Sequence, residues 1–341
     1  MASTEKVPFA ERVAADIIAR LEAGTAPWQR PYEESQLGGL PMNPTTMKRY
    51  RGINAIALLM SQPTDDPRWL QDPRWLTYKQ AEAQGWQVRR GEKSRTVEYW
   101  QFEKEETDKA TGEKRTVQLE RPRAFYAAVF HASQIDGMPP LEIQQHAWNP
   151  IERVEALLKE SQADIRHEAG ATPHYSLTKD RIVMPERGQF PDAGRYAATA
   201  LHELGHWTGH PSRLNRSMAH AFGSPDYARE ELRAEIASYL LGQELGIGHD
   251  PGQHDAYLGS WLAALRQDPR EIFRACADAE KIVTHVRQFD LHQAQEQTQT
   301  QGAQKATTAQ PQRERPEPAI ARAPRIKPSV PSPAKALGMS R

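Results

Sequence analysis

The feature that most constrains this chain is Ala200-Leu-His-Glu-Leu-Gly-His-Trp-Thr-Gly-His210, which contains the pattern H-E-x-x-H. On an α-helix, residues four apart share a face, so His202 and His206 can address one metal ion together. Glu203 is turned away by about 100°. From there it reaches a water beside that ion, the place of a general base in a zinc peptidase. Ala200, Leu201 and Leu204 supply apolar positions for burying the back of the helix.

Two histidines do not complete such a site. Hydrolytic zinc commonly takes three protein ligands and keeps one position open. A further histidine in the metzincin spacing would fall at position 212, which is Ser212. His210 lies four residues past His206, but Gly209 and Pro211 end the helix there. The following helical stretch, Arg229-Glu-Glu-Leu-Arg-Ala-Glu-Ile-Ala, offers Glu235, flanked by the small residues Ala234 and Ala237. Glu231 stands one turn earlier on the same face. Glu235 is the preferred third ligand and Glu231 the alternative. A structural zinc would call for a fourth ligand and favours cysteine, and the one cysteine, Cys276, lies far downstream in an apolar helical run. It reads as a small buried hydrophobe. The expected cofactor is one zinc ion per chain, with other divalent ions open.

With 341 residues and roughly 100–200 per domain, two domains are expected. The fold class reads as α+β: an α+β domain over residues 5–145 and a mostly helical domain over 150–290. Residues 292–341 form a tail rich in Gln, Thr, Ala and Pro, with more Lys and Arg than acid. It is expected to be disordered because it cannot bury enough apolar surface to offset its ordering entropy. Lys and Arg total 44 against 44 Asp and Glu, so whole-chain charge neither favours nor opposes nucleic acid, and only local patches count. A lone cysteine excludes an intrachain disulfide framework and fits a reducing cytosol. The first residues lack a signal-peptide core, and no run approaches the roughly 18 apolar residues of a membrane span.

Periodicity predicts helices from Phe9 to Gly24, from Gly52, over Thr77–Gln84, Pro150–Gln162, Tyr196–Thr208, Ala228–Leu245 and Glu271–Phe289. It predicts strands at Arg95–Phe102, Arg123–Phe130 and Asp180–Pro185. The charged stretch from Glu103 to Lys114 reads as a solvated hairpin tip. The N-terminal half interleaves aromatic and basic side chains, as in Lys48-Arg-Tyr-Arg-Gly-Ile-Asn54, Trp75-Leu-Thr-Tyr-Lys79 and Arg89-Arg-Gly-Glu-Lys-Ser-Arg95. Such mixtures bind single-stranded nucleic acid by stacking bases on rings while cations follow the phosphates. The candidate contacts are Lys48, Arg51, Asn54, Trp75, Lys79, Arg89, Arg90, Lys93 and Arg95. Arg213 and Arg216 are further candidates for substrate or DNA.

These segments resemble a known family. Leu21-Glu-Ala-Gly-Thr-Ala-Pro-Trp28, Tyr50-Arg-Gly-Ile-Asn54, Trp75-Leu-Thr-Tyr-Lys-Gln-Ala81, Arg90-Gly-Glu-Lys93, Val129 to Pro139, the H-E-x-x-H segment, Arg213-Leu-Asn-Arg216, Tyr227 to Glu235 and Trp261 occur in order. Together they resemble the ArdC-type antirestriction proteins of conjugative plasmids and are similar to the N-terminal part of TraC-type plasmid primases. The resemblance implies an N-terminal domain that binds single-stranded DNA and a C-terminal zincin-like metallopeptidase with ligands His202, His206 and Glu235 and base Glu203. It implies protection of incoming plasmid DNA. The alternative is a DNA-coating or primase-accessory protein whose zincin domain is a non-proteolytic scaffold.

Overall fold

The computed structural model describes residues 8–26, 28, 39–61, 69, 71–107, 114–141, 149–218, 220, 223–247 and 254–290. The tail expected to be disordered lies outside the described residues. Helix α1 (Phe9–Glu22) turns Phe9, Val13, Ala14, Ile17 and Leu21 to one buried side, the spacing of an amphipathic helix. After the short strands β1 (Met42–Asn43) and β2 (Lys48–Arg49) comes α2 (Ile53–Met60). Strand β3 (Trp75–Thr77) runs directly into α3 (Tyr78–Ala83), whose start is fixed by a reciprocal capping box between Thr77 and Gln80.

The hairpin of β5 (Arg95–Thr107) and β6 (Lys114–His131) extends farther than the alternating pattern predicts. The charged stretch expected as a tip is itself paired, from Glu103↔Gln118 to Thr107↔Lys114, beyond a bulge between Gln101 and Glu103. Strand β6 lies in the middle of the order β3-β6-β5, and β4 (Gln87–Val88) pairs with β7 (Ile135–Asp136).

The C-terminal half opens with α4 (Pro150–Glu160), capped by Asn149 with Pro150 in its first turn. Strands β8 (Asp164–His167), β9 (His174–Ser176) and β10 (Arg181–Met184) form a three-stranded sheet in which β10 is central, parallel to β8 and antiparallel to β9. Helix α5 (Ala193–Trp207) carries the H-E-x-x-H segment and starts at Asp192, whose side chain accepts the amide of Arg195. Helix α6 (Pro225–Leu245) starts on Ser224 and stops where Gly246 takes a left-handed conformation, φ 73°. Helices α7 (His254–Gln267) and α8 (Glu271–Val286) complete the fold. The sequence reading did not anticipate α7; it reads a short hairpin-like section between residues 162 and 180, where β8 and β9 lie, although these two strands pair with β10 and not with each other. Cys276 is buried in α8, as expected.

The two domains read in the sequence do not keep separate cores. Ile17 and Leu21 of α1 and Ile56 and Met60 of α2 belong to the same buried cluster as Leu201 of α5, Leu240 of α6 and Ile282 of α8. The described residues between 8 and 290 belong to one compact unit. Polar contacts reinforce this seam. Arg49 lies 3.0 Å from Glu244 and 2.8 Å from Glu280, and Glu280 also accepts the amide of Gly52 at 2.8 Å. Among the described residues, no helix is long and apolar enough to cross a membrane.

Candidate metal centre

Helices α5 and α6 cross at Gly205, where an added Cβ would stand 3.6 Å from the Cα of Ala234. The absence of a side chain at 205 and the small one at 234 bring the acidic face of α6 onto the two histidines. Nε2 of His202 and Nε2 of His206 are 3.2 Å apart. One carboxylate oxygen of Glu231 lies 3.5 Å from the first and the other lies 3.5 Å from the second. Among the described residues, His202, His206 and Glu231 form the group whose ligand atoms converge.

Glu235, preferred from the sequence, is not in that group. Its carboxylate faces the opposite ring nitrogen of His202, at 3.3 Å from Nδ1. Glu230 does the same for His206 Nδ1, also at 3.3 Å. Each imidazole is thus held from behind by one carboxylate, the arrangement that fixes the tautomer and orientation of metal-bound histidines. Glu231 and Glu235 are one helical turn apart, and with α6 crossing α5 at Gly205 the first faces the two Nε2 atoms and the second faces Nδ1 of His202.

The donor set fits a divalent cation. Ligand nitrogens about 2.0–2.1 Å from a tetrahedral centre lie about 3.3 Å from one another, close to the observed separations. Charge leads to the same conclusion. Glu203, Glu230, Glu231 and Glu235 are all buried around two imidazoles, and burying carboxylates without compensating cations is costly. Two imidazoles and one carboxylate suit zinc, and also manganese among other ions.

The neighbouring carboxylates set the electrostatics. Burial pulls His206 down, but Glu231 and Glu230 outweigh it and push it up to about 9. His202 is raised for the same reason by Glu231 and Glu235. Glu231 is held well below the usual carboxylate range because the two histidines outweigh its burial. Glu203 moves the other way: burial raises it, and its Oε2 has no hydrogen-bond partner among the described residues. The cleft above these groups is lined by His174, Tyr175, Met218, His220, Tyr227 and Tyr257.

Arg216 holds Glu230 in place, at 2.6 and 3.1 Å, and also donates to Thr208 Oγ1 and to the carbonyl of Gly205. Arg213 donates to the carbonyl of Trp207 at 2.7 Å, lies over the Trp207 ring and pairs with Asp180. Both arginines therefore brace α5 instead of standing open to a ligand. Sequence reasoning missed Glu230 and gave its partner Arg216 a ligand-binding role. The adjacency Glu230-Glu231 was visible, but not that its two acids serve opposite sides of one imidazole.

The candidate nucleic-acid residues divide. Lys48, Arg51, Lys79, Arg89, Arg90, Lys93 and Arg95 are exposed. Arg89 is already engaged by Glu92 at 2.9 Å and Asp136 at 3.3 Å. Trp75 is fully buried among Leu58, Val97 and Val129, so its ring faces protein and cannot stack on a base. Asn54 is buried too, its side chain donating to the carbonyl of Glu98 at 2.7 Å and accepting its amide at 2.9 Å. The sequence patterning read these two as contacts; both are structural.

Comparison with known proteins follows this division. The model of the N-terminal domain of anti-restriction factor ArdC matches residues 8–130, and that of a zincin-like metallopeptidase matches residues 152–278. The chain is 56% identical over 332 residues to the DNA primase TraC of Escherichia coli, covering 93% of itself and 31% of that protein. It thus spans about a third of that relative's length. It is 34% identical to the uncharacterized protein y4eC of Sinorhizobium fredii, covering 92% of it. The Mn(II)-bound crystal structure of the antirestriction protein ArdC from plasmid R388 superposes with a TM-score of 0.67 at 33% identity, over 84% of this chain and all of that one. The metal-free form gives 0.65 at 34% identity, covering 83% and 98%.

Proposed function

Because the chain belongs to the ArdC antirestriction family, we propose that it binds single-stranded DNA through its N-terminal domain and hydrolyses a peptide bond at the metal centre. Its role is to protect incoming plasmid DNA in the cytosol of a recipient cell. The observation that carries the reading is the convergence of His202, His206 and Glu231 beside a buried Glu203.

In this mechanism His202, His206 and Glu231 would hold one zinc ion per chain. When bound, zinc supplies Lewis acidity that polarises a carbonyl and acidifies water. The chain does the rest. Glu203 takes the proton from the attacking water on its unbonded carboxylate oxygen and delivers it to the departing amine. Its carboxylate is buried beside the two histidines and lines the cleft, the position from which a base exchanges protons with water and leaving group. Glu235 and Glu230 keep the two imidazoles aimed at the ion. Tyr227 and Tyr257, whose hydroxyls are 3.4 Å apart, line the cleft where a peptide would lie. In the N-terminal domain, exposed Lys48, Arg51, Lys79, Arg90, Lys93 and Arg95 support contact with phosphates.

The test is Glu203→Ala in a conjugation assay with a restricting recipient, alongside metal analysis of the purified protein. The expected result is full metal content with protection reduced to the level of a plasmid lacking the gene. Protection that survives the substitution replaces this reading with that of a DNA-coating protein whose metal domain is a scaffold.

A further inference from the structure

With Trp75 and Asn54 buried, the candidate contacts keep their cations but no ring. One exposed ring, Tyr78, follows β3 beside Lys79, and the others among the described residues cluster on one hairpin. Tyr99, Trp100, Phe102, Phe125 and Tyr126, all on the β5–β6 hairpin, are about half exposed.

Register divides these rings between two faces. Residues directly opposite across an antiparallel pair share a face, and the next pair along points the other way. Tyr99 is opposite Phe125, with Val97↔Ala127 below and Gln101↔Arg123 beyond. Arg95 and Val129 continue this face toward its base. The other face carries Glu98 opposite Tyr126, and the Tyr126 hydroxyl donates to Glu98 at 2.9 Å. Tyr126 also packs edge-on against Phe9 of α1 at 6.1 Å. The second face also carries Trp100, opposite Ala124, but its one charged side chain between Thr96 and Trp100 is the carboxylate of Glu98. Both faces are buried toward their base, the first at Val97 and Val129 and the second where Tyr126 meets α1.

The first face differs in charge. From Arg95 to Gln101 and from Arg123 to Val129 it carries two guanidiniums and no carboxylate. Neither arginine makes an ion pair among the described residues. Arg123 is one pair beyond Tyr99 and Phe125, about 7 Å along the strand, and Arg95 is two pairs before them. A third cation is carried by the segment tied to this strand. Asn54 grips the edge of β5 at Glu98, and Arg51, exposed, lies three residues before it. Tyr99 is also oriented, since its hydroxyl meets that of Tyr50, which in turn donates to the carbonyl of Trp75 at 3.1 Å.

We propose that the Tyr99–Phe125 face of the β5–β6 hairpin is where the bases of single-stranded DNA stack, with Arg51, Arg95 and Arg123 holding the phosphates on either side. The inference rests on the single-stranded-DNA reading above and assigns its surface. Aromatic rings stack on unpaired bases of any sequence, while flanking cations follow the backbone. Duplex DNA keeps its bases paired and offers no ring to stack.

The experiment uses the full chain and a fluorescein-labelled oligothymidylate, followed by anisotropy over a range of salt, with a matching duplex beside it. Tyr99→Leu with Phe125→Leu keeps apolar bulk and removes both π faces. It is expected to weaken single-strand binding about tenfold per ring and leave the salt slope unchanged. Arg95→Ala with Arg123→Ala is expected to lower the slope of log K against log salt by about 1.4. Tyr99→Phe is expected to bind within about twofold of the unchanged protein. Equal binding by the leucine variant and the unchanged protein overturns this assignment and leaves the DNA reading intact. No binding by the unchanged protein overturns both. Equal affinity for the duplex overturns the stacking. A leucine variant that sediments as a smaller species than the unchanged protein identifies the face as a contact between copies, and overturns it also.

Discussion

At the scale of single residues, the metal centre separates ligands from the groups that aim them. Glu231→Ala removes a converging oxygen, whereas Glu235→Ala removes the partner of His202 Nδ1. Outer partners of this kind are typically worth about 10–100-fold in metal affinity. Competition titration with a chelating dye is expected to show Glu235→Ala within that range and Glu231→Ala weaker still. The reverse order would return the third-ligand role to Glu235. His202, Glu203 and His206 were legible in the sequence because their relation is local: a helix alone fixes residues four apart. Glu231 and Glu235 are four apart on their own helix and share a face, so periodicity cannot choose between them. The choice depends on where α6 crosses α5, which is a matter of packing. Arg216 was misread for a related reason: an arginine looks the same in sequence whether it awaits a ligand or neutralises a buried acid. Its guanidinium is 10% exposed and its partner Glu230 is 7% exposed. Removing one member of such a pair leaves a buried charge without a partner and costs about 3–5 kcal/mol. Arg216→Ala is therefore expected to lower the urea midpoint strongly. Arg216→Ala combined with Glu230→Gln should recover part of the loss.

At the scale of elements, the β9–β10 hairpin is tied to the end of α5 by a short polar clamp. Arg213 and the Tyr175 hydroxyl, 2.7 Å away, both engage Asp180, and Arg213 continues to the carbonyl of Trp207. The clamp keeps β9, with His174 and Tyr175, beside the cleft. Hydrogen bonding from Arg213 holds Asp180 below its ordinary pKa against the opposing effect of burial. The sign follows from linkage. A carboxyl whose folded-state pKa is depressed contributes stability above its unfolded value and loses that contribution as pH falls through the folded one. Denaturation midpoints measured from neutral into acid are expected to fall less steeply for Asp180→Asn than for the unchanged chain. An identical slope would mean the clamp is not closed in solution. Legibility at this scale followed pattern strength. Helices α1, α5 and α6 announce themselves by apolar spacing and by the caps Asp192, Ser224 and Gly246. Helix α7 was missed because Gly259 and a mixed apolar distribution blur its period. The outer half of the hairpin was missed because Glu103–Thr107 and Lys114–Glu120 are almost wholly polar. They are paired through backbone hydrogen bonds and cross-strand ion pairs, such as Lys114 with Glu105, without apolar alternation.

At the scale of the whole molecule, the sequence marks two domains, but the packing does not let them separate. Phe9, Val13, Ile17 and Leu21 of α1 and Ile56, Leu59 and Met60 of α2 are buried in the cluster that also holds the metal-site helices. Cutting the chain after residue 145 would expose these side chains. At about 1.5–3 kcal/mol for each fully buried large apolar side chain, the loss over these seven is about 10–21 kcal/mol, as large as the roughly 5–15 kcal/mol by which a typical domain is stable. Arg49 would also lose both of its carboxylate partners, Glu244 and Glu280. A fragment of residues 1–145 is therefore expected to be partly unfolded or aggregated, with poorly dispersed amide resonances, even though a family model matches almost all of it. The intact chain is expected to unfold in one transition, with the same midpoint from tryptophan fluorescence and from the release of bound metal. Two resolved transitions, or a fragment that gives a well-dispersed spectrum, would show that the halves are independent. In the single-transition case, linkage follows: if DNA bound to the N-terminal half stabilises the shared core, it also retains the metal. Adding a single-stranded oligonucleotide should then raise both midpoints together, by an amount set by its concentration relative to its dissociation constant.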